Sequence, residues 1–205
     1  MSFVGANRRV FAAAKPKELY GAPFAFGLAV CLLLMPLEML GQVSATTEYR
    51  AKASFLSNFP SFVEWPPNVF SSPNAPFLIC VFGDFSFGTS LAENTRGITV
   101  HGRRVDIKWA HKEAELHACQ ILFISRSDAK SYTKVLDTVK GDSVLTVGET
   151  PGFLEAGGAV FFSFQEQALQ FEVNLPAVDG AHLKMSSRLL SLARRVVNRL
   201  AEAKS

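Results

Sequence analysis

The sequence contains none of the short motifs that usually identify an enzyme by inspection. Its 205 residues hold no nucleophile elbow, glycine-rich phosphate loop, dinucleotide-binding fingerprint or zinc-protease helix. The glycines of GETPGFLEAGG, residues 148–158, lack the lysine and the spacing of a phosphate loop and predict a loop with one helical turn. These absences favour a protein without catalytic activity. An exported enzyme with dispersed catalytic residues stays an open alternative.

Cysteine is scarce, with three residues in the whole chain: Cys31, Cys80 and Cys119. Cys31 lies in an N-terminal apolar run, and its neighbours do not fit a lipidation site. The other two form an even pair, which in an exported chain is compatible with one disulfide or with two buried thiols. Spacing does not decide between them, because a disulfide needs Cα atoms within about 7 Å of each other.

The first 45 residues have the pattern of an export signal. Four basic residues precede an apolar run over residues 22–40, and the small-residue sequence VSA follows it. An uncleaved membrane anchor is the alternative, since a run of this length nearly spans a bilayer, but Pro36 and Glu38 interrupt it. We therefore expect cleavage after residue 45, which leaves a mature chain beginning at Thr46.

The expected mature chain, residues 46–205, has almost no net charge. Seventeen basic and sixteen acidic residues remain in it, a net charge of +1. A nucleic-acid-binding domain needs a clear basic excess, so the composition argues against a nucleic-acid partner. Its 160 residues are enough for a single domain with its own core.

The mature chain is predicted to begin with an amphipathic helix over residues 48–63. Its apolar residues fall on one helical face: Phe55, Leu56, Phe59, Phe62 and Val63. Pro60 is expected to kink or fray the last turn. Trp65-Pro66-Pro67 is expected to stop the helix, because proline disfavours helical geometry in the residue before it.

Further along, apolar runs of strand length alternate with helical patterns. Buried strands are predicted at residues 76–83, 119–125 and 143–148, with helices through Leu91 and over residues 128–140. This alternation predicts a single-domain α/β layered fold with a largely parallel sheet flanked by helices.

Two β-hairpins and a long closing helix complete the predicted fold. One hairpin turns at His101-Gly102 and the other at Glu166-Gln167. Apolar residues then repeat at helical spacing from the MSSR turn, residues 185–188, through Leu200. On that helix three arginines would form one stripe, either solvated or facing a partner. They are Arg188, Arg195 and Arg199.

The segment HKEAELH, residues 111–117, contains residue types that bind zinc. On a helix His111 pairs with Glu115 and Glu113 pairs with His117, but the two pairs point about 200° apart and cannot converge on one ion. We therefore interpret the segment as a solvated helical face and predict no metal site.

Four polar residues near the end of the chain form a candidate ligand pocket. Glu172 and Asn174 share one face of their strand, and Ser187 and Arg188 follow where the last helix is expected to begin. Together they could bind the polar end of a small ligand. The alternative is structural: the first two side chains bond each other and cap that helix, where Ser is a favoured N-cap.

Six segments, in order along the mature chain, resemble the YfiR family of bacterial periplasmic proteins. They are EYRAKASFLSNFPSFVEWP (48–66), ICVFGDFSFG (79–88), CQILFIS (119–125), SVLTVGETPGF (143–153), FEVNL (171–175) and LKMSSRLLSLARRVV (183–197). Each segment alone is a weak signal. Their order, behind an export signal, makes the resemblance specific.

The resemblance implies a periplasmic repressor that binds the periplasmic portion of an inner-membrane diguanylate cyclase of the YfiN type, without catalysis or a cofactor. It also implies a second partner, an OmpA-like outer-membrane lipoprotein of the YfiB type. Sequestration of the repressor by this lipoprotein then raises cyclic di-GMP and promotes biofilm formation. A small-molecule-binding sensor domain is the alternative function, and a homodimer is an open alternative for the assembly.

The resemblance also assigns expected roles to cysteines. Cys80 and Cys119 match a cysteine pair of the family, which implies a disulfide between their two strands. A later cysteine pair of the family is missing here, so redox control through it is not carried over. Pro60 also departs from the small or polar residue expected in the first helix.

The most recognisable block of the resemblance is FLSNFPSFVEWPP, residues 55–67. Its aromatic residues Phe59, Phe62 and Trp65 are candidate partner-binding residues, with core packing as the alternative. Arg188 and Arg195 complete the candidate partner-binding set.

Overall fold

The fold is that of a computed structural model, in which residues 38–83 and 88–198 are described. The apolar run of the predicted export signal lies largely outside these ranges, as does Arg199. The α-helices are α1 (Glu38–Asn58), α2 (Gly88–Thr95), α3 (Tyr132–Thr138), α4 (Leu175–Gly180) and α5 (Ser187–Leu190). The strands are β1 (Val63–Glu64), β2 (Phe77–Phe82), β3 (Thr99–Val100), β4 (Arg103–Ala110), β5 (Ile121–Ile124), β6 (Leu145–Gly148), β7 (Val160–Gln165), β8 (Ala168–Asn174), β9 (Lys184–Met185) and β10 (Arg195–Val197).

Eight of the strands form one sheet in the order β10-β8-β7-β6-β5-β2-β4-β3. Neighbouring strands are parallel except in the hairpins β7–β8 and β3–β4. The short strands β1 and β9 form a separate antiparallel pair. The predicted α/β fold with a largely parallel sheet is therefore confirmed.

The central strands are apolar because both of their faces are covered. Every residue of β5 and β6 is buried, as expected for parallel strands between two layers. On one face, Leu56 of α1 and Leu91 of α2 pack against alternate residues of the strands. On the other face, Leu136 of α3 and Phe153 pack against the remaining residues. Each fully buried Leu or Phe contributes about 1.5–3 kcal/mol through apolar burial.

Both predicted hairpins are confirmed, and their turns have the backbone that tight hairpins require. His101 and Gly102 have φ of 50° and 79°, and Glu166 and Gln167 have φ of 50° and 61°. Positive φ at both central residues is the signature of a type I′ turn, whose twist matches that of the paired strands. In the second turn both residues with positive φ are non-glycine residues.

The first helix ends earlier than predicted. It stops at Asn58, and a 3-10 turn over Phe59–Ser61 leads into β1. Pro60 lies at the start of that turn, where its missing N–H removes no helical hydrogen bond. Pro60 therefore ends α1, and the apolar residues beyond it continue as a turn and a strand.

The predicted long closing helix is wrong. The helix there, α5, has four residues, and the Ser186 hydroxyl caps it by accepting a hydrogen bond from the N–H of Leu189. The chain then forms β10, parallel to β8, and Arg194 N–H donates to the carbonyl of Phe171 at 2.8 Å. Two β-branched valines favour the strand, and pairing with β8 satisfies its backbone.

The predicted arginine stripe is wrong for the same reason. Arg188 lies on α5 and Arg195 on β10, so no common helix aligns them. Among the described helices, none is both long and apolar enough to cross a membrane.

Candidate functional site

The phenylalanines at the end of α1 lie in the core. The rings of Phe55 and Phe59 contact those of Phe162 on β7 and Phe171 on β8, with centroids 5.7–6.1 Å apart. Such pairs add about 0.5–1.5 kcal/mol each beyond their area burial. Phe59 is 1% exposed. Core packing, the alternative to partner binding, therefore describes Phe59, which is no longer a candidate for direct partner contact.

Trp65 and Phe70 form a partly exposed aromatic surface. Both rings pack against Phe77, with centroid distances of 4.8 and 6.4 Å. The Trp65 indole N–H also donates a hydrogen bond to the main-chain carbonyl of Gln120, at 3.2 Å. The guanidinium of Arg103 lies over the Phe70 ring, 3.8 Å from its centroid. We call Trp65, Phe70 and Arg103 the aromatic surface.

The aromatic surface is both fixed and accessible. Arg103 Nη1 donates hydrogen bonds to the carbonyls of Ser72 and Ala75, at 2.9 and 2.8 Å, which ties the loop between β1 and β2 to β4. Trp65 is half-buried, as is the nearby Phe62, so each retains some exposed surface. A side chain that is already held loses little entropy when a partner binds. The partner-binding roles of Phe62 and Trp65 stay predictions.

Glu172 and Asn174 share a face of β8, as predicted, but they do not bond each other. Glu172 accepts a hydrogen bond of 2.6 Å from Arg195 Nε, and this bond raises the pKa of Arg195 above its ordinary value. Asn174 caps α4 by accepting from Ala177 N–H at 3.3 Å, and its amide donates to the Leu154 carbonyl at 3.0 Å. Asn174 therefore has a structural, helix-capping role, as the alternative to a ligand pocket proposed, but the helix that it caps is α4 and not the last helix.

A cavity of about 480 Å³ lies beside these residues. Its lining includes Asn174, Arg195, Leu154 and Glu155. Among the four residues of the predicted pocket, Asn174 alone lines it, while Ser187 and Arg188 are exposed on α5. The volume is within the usual range for small-ligand sites, about 300–1,000 Å³.

Cys80 and Cys119 form a disulfide, as the resemblance implies. Their Cα atoms are 5.8 Å apart and both side chains are buried. The bond joins the middle of β2 to the residue two places before β5, so it links neighbouring strands at the centre of the sheet.

The polar residues of HKEAELH turn to separate partners. Glu115 accepts hydrogen bonds from the backbone N–H groups of His111 and Lys112, and these bonds lower the pKa of Glu115 below its ordinary value. His117 pairs with Asp142 at 2.7 Å. The segment forms a 3-10 helix over Glu113–Ala118 and is largely exposed, in agreement with the predicted solvated helical segment.

Four charged residues that were not predicted as a group meet where α1 packs on the sheet. Lys52 Nζ binds the carboxylates of Glu48 and Glu149. The backbone N–H of Arg126 donates to Glu149 Oε1 at 2.9 Å, and its guanidinium lies 3.6–3.7 Å from both carboxylates. Lys52 is 3% exposed and Glu149 is 7% exposed. We call Glu48, Lys52, Arg126 and Glu149 the charge cluster.

The charge cluster lies where the parallel strands β5 and β6 end. Glu149 directly follows β6, and Arg126 lies two residues after β5. In open α/β sheets, ligands usually bind at this edge, where the strand order reverses. Here the order reverses between β2 and β5. A β-carbon on Gly83, which follows β2, would lie 2.5 Å from Asp128 Oδ2 and 2.8 Å from Ser127 Oγ, so these two side chains pack directly against Gly83 at this edge.

The profile of the YfiR/HmsC-like family matches residues 49–194, which is most of the chain. The chain belongs to the YfiR/HmsC-like family. The match begins one residue after Glu48 and ends just before β10, so it contains the aromatic surface, the disulfide and most of the charge cluster. Members of this family are periplasmic regulators of cyclic di-GMP signalling.

Two solved structures show distant similarity to this YfiR/HmsC-like protein. A conserved domain protein of Vibrio cholerae O1 biovar El Tor has a TM-score of 0.42 at 11% identity, with coverage of 58% of this chain and 54% of its own. An ABC domain in complex with L-Trp from Streptococcus pneumoniae has a TM-score of 0.49 at 10% identity, covering 71% and 60%. The chain thus spans less than two thirds of either protein. No curated protein matches its sequence significantly.

The charge cluster was missed although the sequence holds a signal for part of it. Lys52 is four residues before Leu56 and seven before Phe59, which places it on the apolar face of the helix. A charge on a buried face needs a partner. Glu48 is the local partner at i, i+4, whereas Glu149 is distant in sequence and only the fold brings it near.

Proposed function

We propose that this protein is a periplasmic repressor that binds the periplasmic portion of an inner-membrane diguanylate cyclase of the YfiN type. The family match over residues 49–194 is the observation that carries this proposal. Repression requires binding and no chemistry by the repressor itself. Release of the cyclase would then raise cyclic di-GMP and promote biofilm formation.

The aromatic surface is the proposed site of cyclase binding, together with Phe62. Binding energy in protein interfaces is concentrated in a few aromatic and arginine side chains that are surrounded by weaker contacts. Trp65 and Arg103 are of these types, and both are held in place by hydrogen bonds within the domain. Arg188, exposed on α5, is a second candidate contact.

Deletion of the gene tests the proposed function directly. We expect cellular cyclic di-GMP to rise in the deletion strain and to return to its original level when the gene is restored. Affinity purification of the exported protein from membranes should recover a diguanylate cyclase, identified by mass. Unchanged cyclic di-GMP after deletion, in a strain that expresses such a cyclase, would exclude a repressor function for this protein.

A second partner is proposed on the same family basis, an OmpA-like outer-membrane lipoprotein of the YfiB type. It would compete with the cyclase for the repressor under envelope stress. The test is competition: added lipoprotein should displace the repressor from cyclase-containing membranes. Simultaneous binding of both partners would show that they do not compete.

Ligand sensing is a second candidate function because of the cavity of about 480 Å³ lined by Asn174 and Arg195. The Arg195 guanidinium at its wall binds Glu172 through Nε, so an anionic ligand group would have to take the place of Glu155, which lies 3.7 Å from Nη2. Calorimetry with small carboxylates would detect this binding, and Arg195→Met should abolish it. Equal heats with both proteins would exclude the site.

A further inference from the structure

The charge cluster presents an energetic problem. Burying two opposite charges costs several kcal/mol per ion, and their attraction often does no more than offset that cost. In other proteins, apolar replacement of both partners is often neutral or stabilising. Lys52 is 3% exposed and Glu149 is 7% exposed. A gain in stability alone therefore does not explain why this charged pair is buried.

The geometry of the charge cluster connects three parts of the fold through the Lys52 ammonium group and the Glu149 carboxylate. Lys52 and Glu48 belong to α1, Glu149 begins the loop after β6, and the N–H of Arg126, in the loop after β5, bonds Glu149 at 2.9 Å. Charge-assisted hydrogen bonds are directional. They therefore specify one rotation and one axial position of α1 against the strand ends.

Apart from the edge-to-face contacts of Phe55 with Phe162 and Phe171, the remaining contacts of α1 are less specific. Ala53 and Leu56 pack on the sheet through apolar burial, which has no preferred direction. α1 leads within a few residues to β1 and then to Trp65. A small rotation or slide of α1 would therefore displace Trp65 from Phe77 and from the Gln120 carbonyl.

We propose that Lys52 is a positioning residue: by holding α1 at the ends of β5 and β6, it sets the position of the aromatic surface. The effect of this positioning on repression rests on the proposed function. The effect on the position of Trp65 does not, because the environment of Trp65 can be measured on the isolated protein.

Two variants separate positioning from stability. Lys52→Met alone leaves Glu149 buried beside the weakly engaged Arg126 guanidinium, and we expect its melting temperature to fall by about 6–20 °C. Lys52→Met with Glu149→Gln removes both buried charges and keeps an acceptor for the Arg126 N–H. We expect this double variant to melt within about 4 °C of the unchanged protein.

Trp65 fluorescence reports the position of the aromatic surface. The chain has two tryptophans, so every protein compared carries Trp109→Phe, and each is expressed from the full-length gene and purified after export. In the double variant we expect the Trp65 emission to shift to longer wavelength and acrylamide quenching to increase. Cyclic di-GMP should rise in cells that carry it, even though the protein is folded.

The matched control removes an exposed pair of the same type. Lys134 and Glu113 contact at 2.5 Å, with side chains 72% and 47% exposed. Lys134→Met with Glu113→Gln should leave the melting temperature, the Trp65 emission and cyclic di-GMP unchanged. A shift in Trp65 emission confined to the charge-cluster variant supports positioning.

Two results would overturn the proposal. A folded double variant with unaltered Trp65 emission and quenching would show that apolar packing places α1 without the charges. A double variant that melts as early as Lys52→Met would show a role in stability. If gene deletion leaves cyclic di-GMP unchanged, the proposed function fails, and the Trp65 measurement still decides whether Lys52 positions the surface.

Discussion

At the scale of single residues, Trp65 shows how one side chain can serve both the fold and a partner. Its ring packs edge-on against Phe77 and its N–H bonds the Gln120 carbonyl, yet it is only half-buried. Truncation therefore removes part of the stability of the domain together with the largest ring of the aromatic surface. Stability and partner binding are measured by different experiments, so the two effects can be separated.

Trp65→Ala is expected to lower the free energy of unfolding by about 1.5–3 kcal/mol, less than for a fully buried Trp. The variant should stay folded at ordinary temperature and fail to bind cyclase-containing membranes. Trp109→Ala is the matched control. Trp109 lies on β4, is 40% exposed and does not belong to the aromatic surface. Denaturant unfolding and membrane co-sedimentation measure the two quantities. Equal binding by both variants would remove Trp65 from the interface.

Glu115 gives a residue-scale prediction for pH. The backbone N–H groups of His111 and Lys112 lower its pKa below the ordinary value of 4.5, so its charged form stabilises the folded state. This contribution is present above the unfolded pKa and is lost as pH falls through the folded pKa. Glu115→Gln should therefore melt earlier than the unchanged protein at pH 7, and the difference should shrink below about pH 4. A difference that is constant with pH would contradict this assignment.

At the scale of elements, local pattern predicted the parts of the fold that local chemistry determines. The strands β2, β5 and β6 are continuous apolar runs because they are buried on both faces, and the two hairpins follow from alternation and turn position. Closing elements were harder to predict. Val196 and Val197 fit the helical spacing of the apolar residues from Leu189 onward. The strand β8 nevertheless offers them an unpaired edge, and a single sequence does not show which strand has a free neighbour position.

Site residues divide in the same way. The disulfide was predicted from the resemblance, and Trp65 was predicted from the aromatic content of its segment and its neighbouring prolines. Glu149 and Arg126 looked like ordinary loop residues, because their partner Lys52 is 97 positions from Glu149 in the sequence. Chemistry that depends on long-range contacts is thus the part that sequence pattern leaves out.

The disulfide gives the element-scale prediction. It closes a separation of 39 residues, for which the loss of chain entropy in the unfolded state corresponds to about 4 kcal/mol. The double variant Cys80→Ala with Cys119→Ala should lose about 2–5 kcal/mol in denaturant unfolding. Thiol labelling of the unfolded, unreduced exported protein should find neither residue reactive. Two reactive thiols at these positions would show that the bond does not form in the cell.

At the scale of the whole molecule, the helix α1 runs across the expected cleavage site. It spans Glu38–Asn58, whereas cleavage after residue 45 would start the mature chain at Thr46. The shortened helix would then carry Glu48 in its first turn, where a carboxylate interacts favourably with the N-terminal end of the helix dipole by about 0.3–1 kcal/mol. Lys52, one turn later, would keep its pairing with Glu48 and Glu149. The described contacts that hold α1 on the sheet therefore come from residues after the cleavage site.

We predict that export removes the first 45 residues and leaves a folded domain that starts at Thr46. Lys52, Ala53, Leu56 and Phe59, the buried residues through which the first helix and its following turn reach the sheet, all remain after cleavage, so stability should not depend on the leader. Intact mass of the periplasmic fraction should correspond to residues 46–205, and cyclic di-GMP should stay low in the same cells. Replacing the VSA site by residues that block cleavage is the control, because it should leave the protein in the membrane fraction with a larger mass. Recovery of the unaltered protein in that fraction, with the apolar run attached, would show that this regulator works as an anchored protein.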